Sequence, residues 1–287
     1  MKTLLDPAAI ALGAYGTLAR TGILETSFCK KAFASAYFAY KQIWEDPYRD
    51  LMQRYPDLFL GGHIIDVGAN IGYTATVFAD ALQDGYQVYA FEPEQKSFAL
   101  LLQCIVDRGL EREIVPVAAA AGECNGIGEL WLNKFHPTDH RIVTEDYRKV
   151  VGAAPFSKVE LVSIDSFLSE RVPTQPVSFV KIDVQGYEPL VCAGLKGTLA
   201  RHDSVCVAFD YCPQSLEELG FDPPLLLDFF LKRGFRLYLI EKNGKLQALS
   251  SAHLTRALSG LQHTNLLASR RDLQARSRSK VAAAARA

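Results

Sequence analysis

The chain has 287 residues, enough for one α/β domain with additional segments, and its 49% hydrophobic and 22% charged residues are typical of a soluble globular protein. The net charge of −1 excludes a general electrostatic attraction to nucleic acid or anionic membranes, so nucleic acid is not an expected partner. Six cysteines and six histidines lack metal-ligand or disulfide-framework spacing, so we expect no metal, reduced thiols and a cytoplasmic location.

Residues 1–60 are predicted to form an N-terminal helical cap, and Pro47 is expected to end its helical segment. Its apolar stretch Pro7–Leu18 is too short to span a bilayer, so we expect no stable membrane insertion. Aromatic residues recur in the cap at helical spacing, which favours packing against the main domain; lining a substrate entrance is the alternative. The stripe comprises Phe33, Tyr37, Tyr40 and Trp44.

Residues 61–268 are predicted to form the main domain, in which strands and helices alternate. Alternation predicts parallel strands with right-handed crossovers, hence a Rossmann-like doubly wound α/β sheet. Asn243–Gly244 is typical of a hairpin turn and adds an antiparallel edge strand. Strands are expected at 63–67, 86–91, 113–118, 178–182, 204–209, 235–240 and 263–267, and helices near 71–83, 95–108, 164–170, 186–200 and 214–233.

The alternation is interrupted after the third strand. Residues 128–132 and 158–162 resemble two strands of an inserted hairpin, joined by the long polar segment 133–157. Long ordered loops in compact domains are often functional. Residues 269–287, rich in arginine and alanine, are expected to form a disordered basic tail.

A glycine-rich turn follows the first strand of the main domain, in the run His63-Ile-Ile-Asp-Val-Gly-Ala-Asn-Ile-Gly-Tyr73. Glycines allow a sharp turn and close approach of the backbone to a ligand. Glu92 ends the second strand, where an acid is well placed to accept hydrogen bonds from ribose hydroxyls. Asn70 stands where a dinucleotide fingerprint needs its middle glycine, which argues against a pyrophosphate cradle.

These segments resemble known sequence motifs. The turn resembles motif I of S-adenosylmethionine-dependent methyltransferases, acid-x-Gly-x-x-x-Gly. The run Val180-Lys-Ile-Asp-Val-Gln-Gly-Tyr-Glu188 is similar to the V-K-I-D-V-E-G-x-E signature of FkbM-family methyltransferases, with Gln185 in place of the usual glutamate. Ser163–Leu168 and Phe91-Glu92-Pro93 also match that family, and the resemblance spans roughly residues 40–240.

The resemblance implies a seven-stranded, mostly parallel sheet and S-adenosylmethionine as the cofactor. It also implies methyl transfer mostly to a hydroxyl oxygen, with a sugar, glycolipid or natural product as the small-molecule or saccharide acceptor. The expected cofactor residues surround the carboxyl ends of the first three strands: Asp66, Gly68, Asn70, Gly72 and Tyr73 near the methionine portion, Glu92 and Pro93 near the ribose, and Ala118 and Ala119 near the adenine.

Methyl transfer to a hydroxyl requires alignment of the reactants and removal of a proton. Asp183 and His140 are the candidate bases; a helix N-cap and a surface loop position are their respective structural alternatives. Arg141, Gln185 and Glu188 are candidate acceptor contacts, although Arg141 also suits a surface ion pair and Glu188 the first turn of a helix.

Three other functions remain open from the residues alone. An N-methyltransferase acting on a small amine would need the same turn and the same acid. A nicotinamide-dependent oxidoreductase is disfavoured by the broken dinucleotide spacing. A non-catalytic binding or scaffold protein is disfavoured because a dead pocket need not keep Asp66, Gly68, Gly72 and Glu92. The oligomeric state does not follow from the sequence.

Overall fold

The computed structural model describes residues 46–133, 139–152, 154–250 and 263–274. Most of the expected N-terminal cap, including its aromatic stripe, and the tail beyond residue 274 lie outside the described residues. Pro47 directly precedes a helix, because its fixed φ and missing N–H suit a helix start; the segment that it was expected to end lies outside the described residues.

Strands and helices alternate through most of the described chain. The strands are β1 (His63–Val67), β2 (Val88–Phe91), β3 (Ile114–Val117), β4 (Ala120–Ala121), β5 (Gly126–Trp131), β6 (Arg141–Ile142), β7 (Phe156–Val162), β8 (Val177–Ile182), β9 (Cys206–Tyr211), β10 (Arg236–Ile240), β11 (Leu246–Leu249) and β12 (Thr264–Ser269). The helices are α1 (Tyr48–Arg54), α2 (Tyr73–Ala79), α3 (Gln95–Arg108), α4 (Glu145–Val151), α5 (Ile164–Arg171), α6 (Glu188–Ala193), α7 (Lys196–Arg201), α8 (Pro213–Glu218) and α9 (Pro223–Leu231).

The large sheet has the strand order β11-β10-β12-β9-β8-β1-β2-β3. From β3 to β9 the neighbouring strands are parallel, whereas β12 runs antiparallel to both β9 and β10. The prediction of a Rossmann-like, mostly parallel sheet is confirmed. Its described part has eight strands instead of seven because the hairpin through Gly244, at φ +71°, adds β11 to the edge.

Both faces of the parallel strands are buried, as expected for a sheet covered on both sides. Along β1, Ile65 and Val67 face one hydrophobic cluster and Ile64 faces the other. Helix α1 contributes Leu51 to the second cluster, so this part of the N-terminal segment packs on the sheet. Two continuous apolar layers therefore hold the strand ends in fixed positions.

The expected inserted hairpin is confirmed as the antiparallel pair β5 and β7, which belongs to a smaller sheet of order β4-β7-β5-β6. Strand β6 and helix α4 lie in the segment that links the two hairpin strands. Leu130 and Val159 of the small sheet pack into the same cluster as Phe91 and Ile182 of the large sheet. The insertion is therefore joined to the main core.

Two helices that the sequence predicted as continuous are each broken by a glycine. The predicted helix 186–200 is divided into α6 and α7 around Gly194, where an added Cβ would lie 2.0 Å from the carbonyl oxygen of Gly122. The predicted helix 214–233 is divided into α8 and α9 at Gly220, which has φ +87°.

Strand β9 also runs two residues further than predicted, so Asp210 lies inside it. Within the described ranges, no helix has the length and apolarity needed to cross a bilayer.

Candidate active site

A cavity of about 640 Å³ opens at the carboxyl ends of β1, β2 and β8. This is the edge of a doubly wound sheet where ligands bind, and the volume falls within the roughly 300–1,000 Å³ of small-molecule sites. Of the residues expected at the site, the cavity wall includes Gly68, Asn70, Tyr73, Glu92, Pro93, Ala119, His140, Asp183 and Gln185. The wall does not include Asp66, Gly72, Ala118, Arg141 or Glu188.

The glycine-rich turn wraps closely over the end of β2. The backbone N–H groups of Gly68 and Ala69 both donate to the carbonyl oxygen of Phe91, at 3.1 and 2.9 Å. Gly68, at φ +77°, and Asn70, at φ +51°, take left-handed conformations that let the chain reverse within a few residues. Gly72 faces away from the cavity, toward Leu101 of α3. The absence of a side chain at Gly72 therefore leaves room for Leu101 of α3.

Glu92 is fixed beside this turn by two backbone donors. The Asn70 N–H donates to Oε2 at 2.9 Å and the Glu94 N–H donates to Oε1 at 2.8 Å. Burial raises the pKa of Glu92 to about 7, although these two amides oppose the shift. Each carboxylate oxygen keeps lone-pair capacity for a further donor. The arrangement suits recognition of a pair of hydroxyl groups.

Asp66 supports the turn from beneath instead of facing the cavity. Its side chain is fully buried, with Oδ1 3.1 Å from Lys181 Nζ and Oδ2 accepting from the Thr74 hydroxyl at 2.6 Å. Lys181 also donates to the Gly68 carbonyl oxygen at 2.9 Å and lies 3.7 Å from Asp183 Oδ2. One buried cation thus links the acid of the turn, the turn backbone and the acid at the end of β8.

Asp183 directly follows β8 and its side chain is about one-third exposed to the cavity. Gln185, in a left-handed conformation at φ +56°, donates from Nε2 to Asp183 Oδ1 at 3.1 Å. Both Lys181 and this amide stabilise the ionised carboxyl group. Asp183 is therefore an anchored hydrogen-bond acceptor in the cavity wall.

His140 also lines the cavity, on the segment that the insertion contributes. The Asn133 backbone N–H donates to its Nδ1 at 3.1 Å, so the neutral ring carries its proton on Nε2. Burial lowers the pKa of His140, which keeps the ring neutral. Arg141 turns away and pairs with Asp139, at 2.8 Å, and with Glu218. Arg141 thus anchors the segment that presents His140.

The third strand end supplies a small apolar patch. Ala119, Ala120 and Ala121 line the cavity together with Phe91 and Leu130. Ala118 is exposed on the other side of the chain. Short side chains next to an aromatic ring leave room for a flat heterocycle.

Glu188 stabilises the loop between β8 and α6 through a hydrogen bond. Its Oε1 accepts from the Val184 backbone N–H at 3.1 Å, and its side chain is buried. Burial, with a contribution from Asp210, raises the pKa of Glu188 to about 8. The structural reading of this position, a glutamate in the first helical turn, therefore matches its contacts.

Glu188→Gln should remove part of the pH dependence of stability. The folded protein keeps the Glu188 proton up to about pH 8, whereas the unfolded chain releases it near 4.5. The free energy of unfolding of the wild type therefore falls as pH rises between these values, by about 1.4 kcal/mol per pH unit from this group. A neutral glutamine keeps an oxygen that can accept from the Val184 backbone N–H, and it contributes no dependence of the unfolding free energy on pH.

Urea unfolding of both proteins at pH 5.5 and 7.0 measures this effect. The stability difference between variant and wild type should shift by about 2 kcal/mol in favour of the variant between the two pH values. Glu92 titrates in both proteins and cancels in the comparison. Parallel pH profiles would contradict the buried, protonated state of Glu188.

Several cavity residues were not recognised as site residues from the sequence. Lys181 could have been recognised from the sequence, because a charged residue in an otherwise apolar buried strand must be paired. The others come from distant parts of the chain and have no local motif. They include Tyr48, Thr74, Lys242, His263 and Asn265. In the described part of the chain, no three His, Cys, Asp or Glu side chains cluster in a way that could hold a metal ion.

Three of the solved structures with similarity to this chain are described as methyltransferases. Methyltransferase FkbM from Methylobacillus flagellatus is 15% identical, with a TM-score of 0.44 over 72% of this chain and 43% of that chain. The chain thus spans less than half of that protein. An S-adenosylmethionine-dependent O-methyltransferase from Thermotoga maritima is 13% identical, with a TM-score of 0.40 over 78% and 66% of the two chains. A methyltransferase from Aquifex aeolicus is 12% identical, with a TM-score of 0.41 over 80% and 92%.

A family model described as the methyltransferase FkbM domain matches residues 66–237, more than half of the 287-residue chain. No curated protein sequence matches the chain. The matched region begins at the acid of the glycine-rich turn and contains Glu92, Lys181 and Asp183. The chain therefore belongs to the FkbM family of S-adenosylmethionine-dependent methyltransferases.

Proposed function

We propose that this protein catalyses methyl transfer from S-adenosylmethionine to a hydroxyl group of a sugar, glycolipid or natural-product acceptor. The observation that carries the proposal is Glu92, whose carboxyl group is held by the amides of Asn70 and Glu94 beside the glycine-rich turn and faces the cavity. The proposed setting is cytoplasmic, in keeping with the free thiols of the described cysteines.

The residues around the cavity fit S-adenosylmethionine. Glu92 would accept from the two ribose hydroxyls, and Phe91 with Ala119–Ala121 would border the adenine. Gly68 and Asn70 would face the methionine portion, where Tyr73 also lines the wall. S-adenosylmethionine, when bound, supplies a methyl group on a sulfonium centre that departs as a neutral thioether.

The protein must then orient the acceptor and take up its proton. Asp183, anchored by Lys181 and Gln185, can accept a hydrogen bond from an acceptor hydroxyl. His140, protonated on Nε2 when neutral, can donate a second hydrogen bond from another part of the cavity lining. Holding the reacting oxygen between two fixed polar groups supplies the alignment on which methyl transfer depends. An acceptor and a donor in one cavity lining favour a hydroxylated acceptor molecule.

Calorimetric titration with S-adenosylmethionine, S-adenosylhomocysteine and NAD tests the proposal directly. Micromolar binding of the first two and no binding of NAD is the expected result. Binding of NAD alone would point to an oxidoreductase, and binding of none of the three would favour a scaffold role. A screen of radiolabelled methyl transfer to saccharides, with small amines as the comparison, then separates O- from N-methylation.

Glu92→Ala should weaken S-adenosylmethionine binding by about 1–3 kcal/mol, because hydrogen bonds to the ribose are lost. The wild-type affinity should also increase from pH 6 to pH 8, since deprotonation at a pKa of about 7 frees both oxygens to accept. Glu92→Gln should show no such rise. Glu170→Ala, an exposed glutamate outside the cavity, is the control and should bind as the wild type does. Unchanged affinity in Glu92→Ala would mean that the ribose is held elsewhere.

A further inference from the structure

The backbone amides of the glycine-rich turn, residues 68–72, are all bonded within the protein. Their acceptors, at 2.8 to 3.1 Å, are the Phe91 carbonyl oxygen for Gly68 and Ala69, Glu92 Oε2 for Asn70, the Asn70 side-chain oxygen for Ile71 and the Ala69 carbonyl oxygen for Gly72. Between residues 68 and 72 the turn therefore offers a ligand no unbonded N–H group.

The start of α2, directly after the turn, already faces an acid of the chain. The Thr74 hydroxyl, in the first turn of that helix, donates to Asp66 Oδ2 at 2.6 Å. Asp66 is fully buried beneath the turn. A carboxylate at this place takes the position that a bound anion would have at a helix N-terminus.

Turns that bind phosphate have the opposite arrangement, because they direct free backbone N–H groups and a helix N-terminus at the ligand. Two carboxyl groups also border this turn on the cavity side, those of Glu92 and Asp183. The cation beneath it, Lys181, already pairs with Asp66. A phosphate placed here would lose water without gaining amide donors, and it would lie close to like charges.

The proposed ribose site determines which part of a nucleoside lies against the turn. Glu92 would hold the ribose hydroxyls, and its Oε2 is bonded to the Asn70 N–H, so the ribose lies beside the turn. The group carried by ribose C5′ is then close to the turn as well. In a nucleotide this group is an anionic phosphate, whereas in S-adenosylmethionine it is a sulfonium cation. The same carboxyl groups repel the first and attract the second.

We propose that the glycine-rich turn selects the cofactor by the charge of the group at ribose C5′, and that Glu92 is the residue that determines this selectivity. The turn rejects 5′-phosphates because its amides are already bonded, and it accepts a sulfonium or a neutral thioether. Glu92 contributes twice, since it occupies the Asn70 amide and adds a negative charge. This inference rests on the proposed function and adds to it the means of discrimination against nucleotides.

Calorimetric titration of the wild type with 5′-methylthioadenosine and with AMP tests the proposal without any methyl acceptor. At pH 8 Glu92 is ionised, since its pKa is about 7. The two ligands share the adenosine portion and differ in the group at C5′. 5′-Methylthioadenosine should bind at least about tenfold more tightly than AMP, as expected for a buried anion without hydrogen-bond donors. Equal or tighter binding of AMP would overturn the proposal.

Glu92→Gln tests whether the carboxylate is the cause of this preference. The variant removes the charge and leaves one of the amides of Asn70 and Glu94 without its acceptor oxygen. The ratio of AMP affinity to 5′-methylthioadenosine affinity should rise by roughly tenfold. Weaker ribose binding affects both ligands and cancels in the ratio. Glu170→Gln, at an exposed position, is the matched control and should keep the wild-type ratio. An unchanged ratio in Glu92→Gln would overturn the proposal.

Asn70→Gly separates the bonded amides from the side chain that stands at the dinucleotide glycine position. Glycine tolerates the φ of +51° and keeps the N–H that bonds to Glu92. The variant should still fail to bind NAD, and binding of NAD would overturn the proposal. Preference for AMP in the wild type overturns this inference alone, whereas failure to bind both S-adenosylmethionine and 5′-methylthioadenosine would overturn the proposed function with it.

Discussion

Replacing Lys181 with methionine should lower the free energy of unfolding by about 3–5 kcal/mol, because it leaves the carboxylate of Asp66 buried without its cation. The lysine is 3% exposed, the aspartate is fully buried, and their charged atoms are 3.1 Å apart. The double variant Asp66→Asn/Lys181→Met should recover most of the loss, since no uncompensated charge remains and the asparagine oxygen can still accept from Thr74.

Denaturant unfolding of the two single variants and the double variant completes this cycle. Lys232→Met, which breaks the surface pair with Asp228, is the control and should change stability by less than about 0.5 kcal/mol. The double variant should still bind S-adenosylmethionine weakly, because the Gly68 carbonyl loses the Lys181 hydrogen bond and Asp183 loses its neighbouring cation. Equal instability of single and double variants would show that lysine packing, not charge compensation, stabilises the site.

Gly68→Ala should destabilise the protein by about 2–5 kcal/mol and abolish cofactor binding. An added Cβ would lie 1.9 Å from the carbonyl oxygen of Asp183, at a backbone φ of +77°. The turn and the end of β8 would have to separate, and both line the cavity. Backbone strain and steric overlap therefore both contribute to the loss of stability at this position.

Gly85→Ala separates these two contributions. Gly85 has φ +89° but no atom within 4 Å of the added Cβ, so only the backbone strain of about 1–2 kcal/mol applies. Urea unfolding and calorimetric titration of both variants give the comparison. Similar stability losses in the two variants would mean that the turn tolerates the displacement and that close approach to β8 is not required.

Features that depend on residues close along the chain could be predicted from the sequence alone. Glycines at 68 and 72, an acid at the end of the second strand and the V-K-I-D run at 180–183 each reflect a constraint that acts within a few residues. A tight turn needs positive φ, and buried parallel strands need continuous apolar residues. The observed turn geometry, strand identity and cavity position follow these constraints closely.

Helix continuity was predicted less well because the interruptions arise from contacts between distant segments. Gly194 allows the chain to pass over the carbonyl of Gly122, and Gly220 lies against Asp146 of α4. The apolar periodicity of each segment persists across the break. A single sequence does not show that another backbone occupies the space beside such a glycine.

What the sequence determined by itself was the kind of fold, the glycine-rich turn and acid at the cavity edge, and the family, because each depends on residues that are close along the chain. The tertiary structure decided the role of Asp66, which pairs with Lys181 through the parallel register of β1 and β8. It also brought Tyr48 and His263 to the cavity lining and placed the buried Asp210 2.9 Å from His263. Those contacts depend on strand order and on which face each side chain occupies, and local sequence carries no record of either.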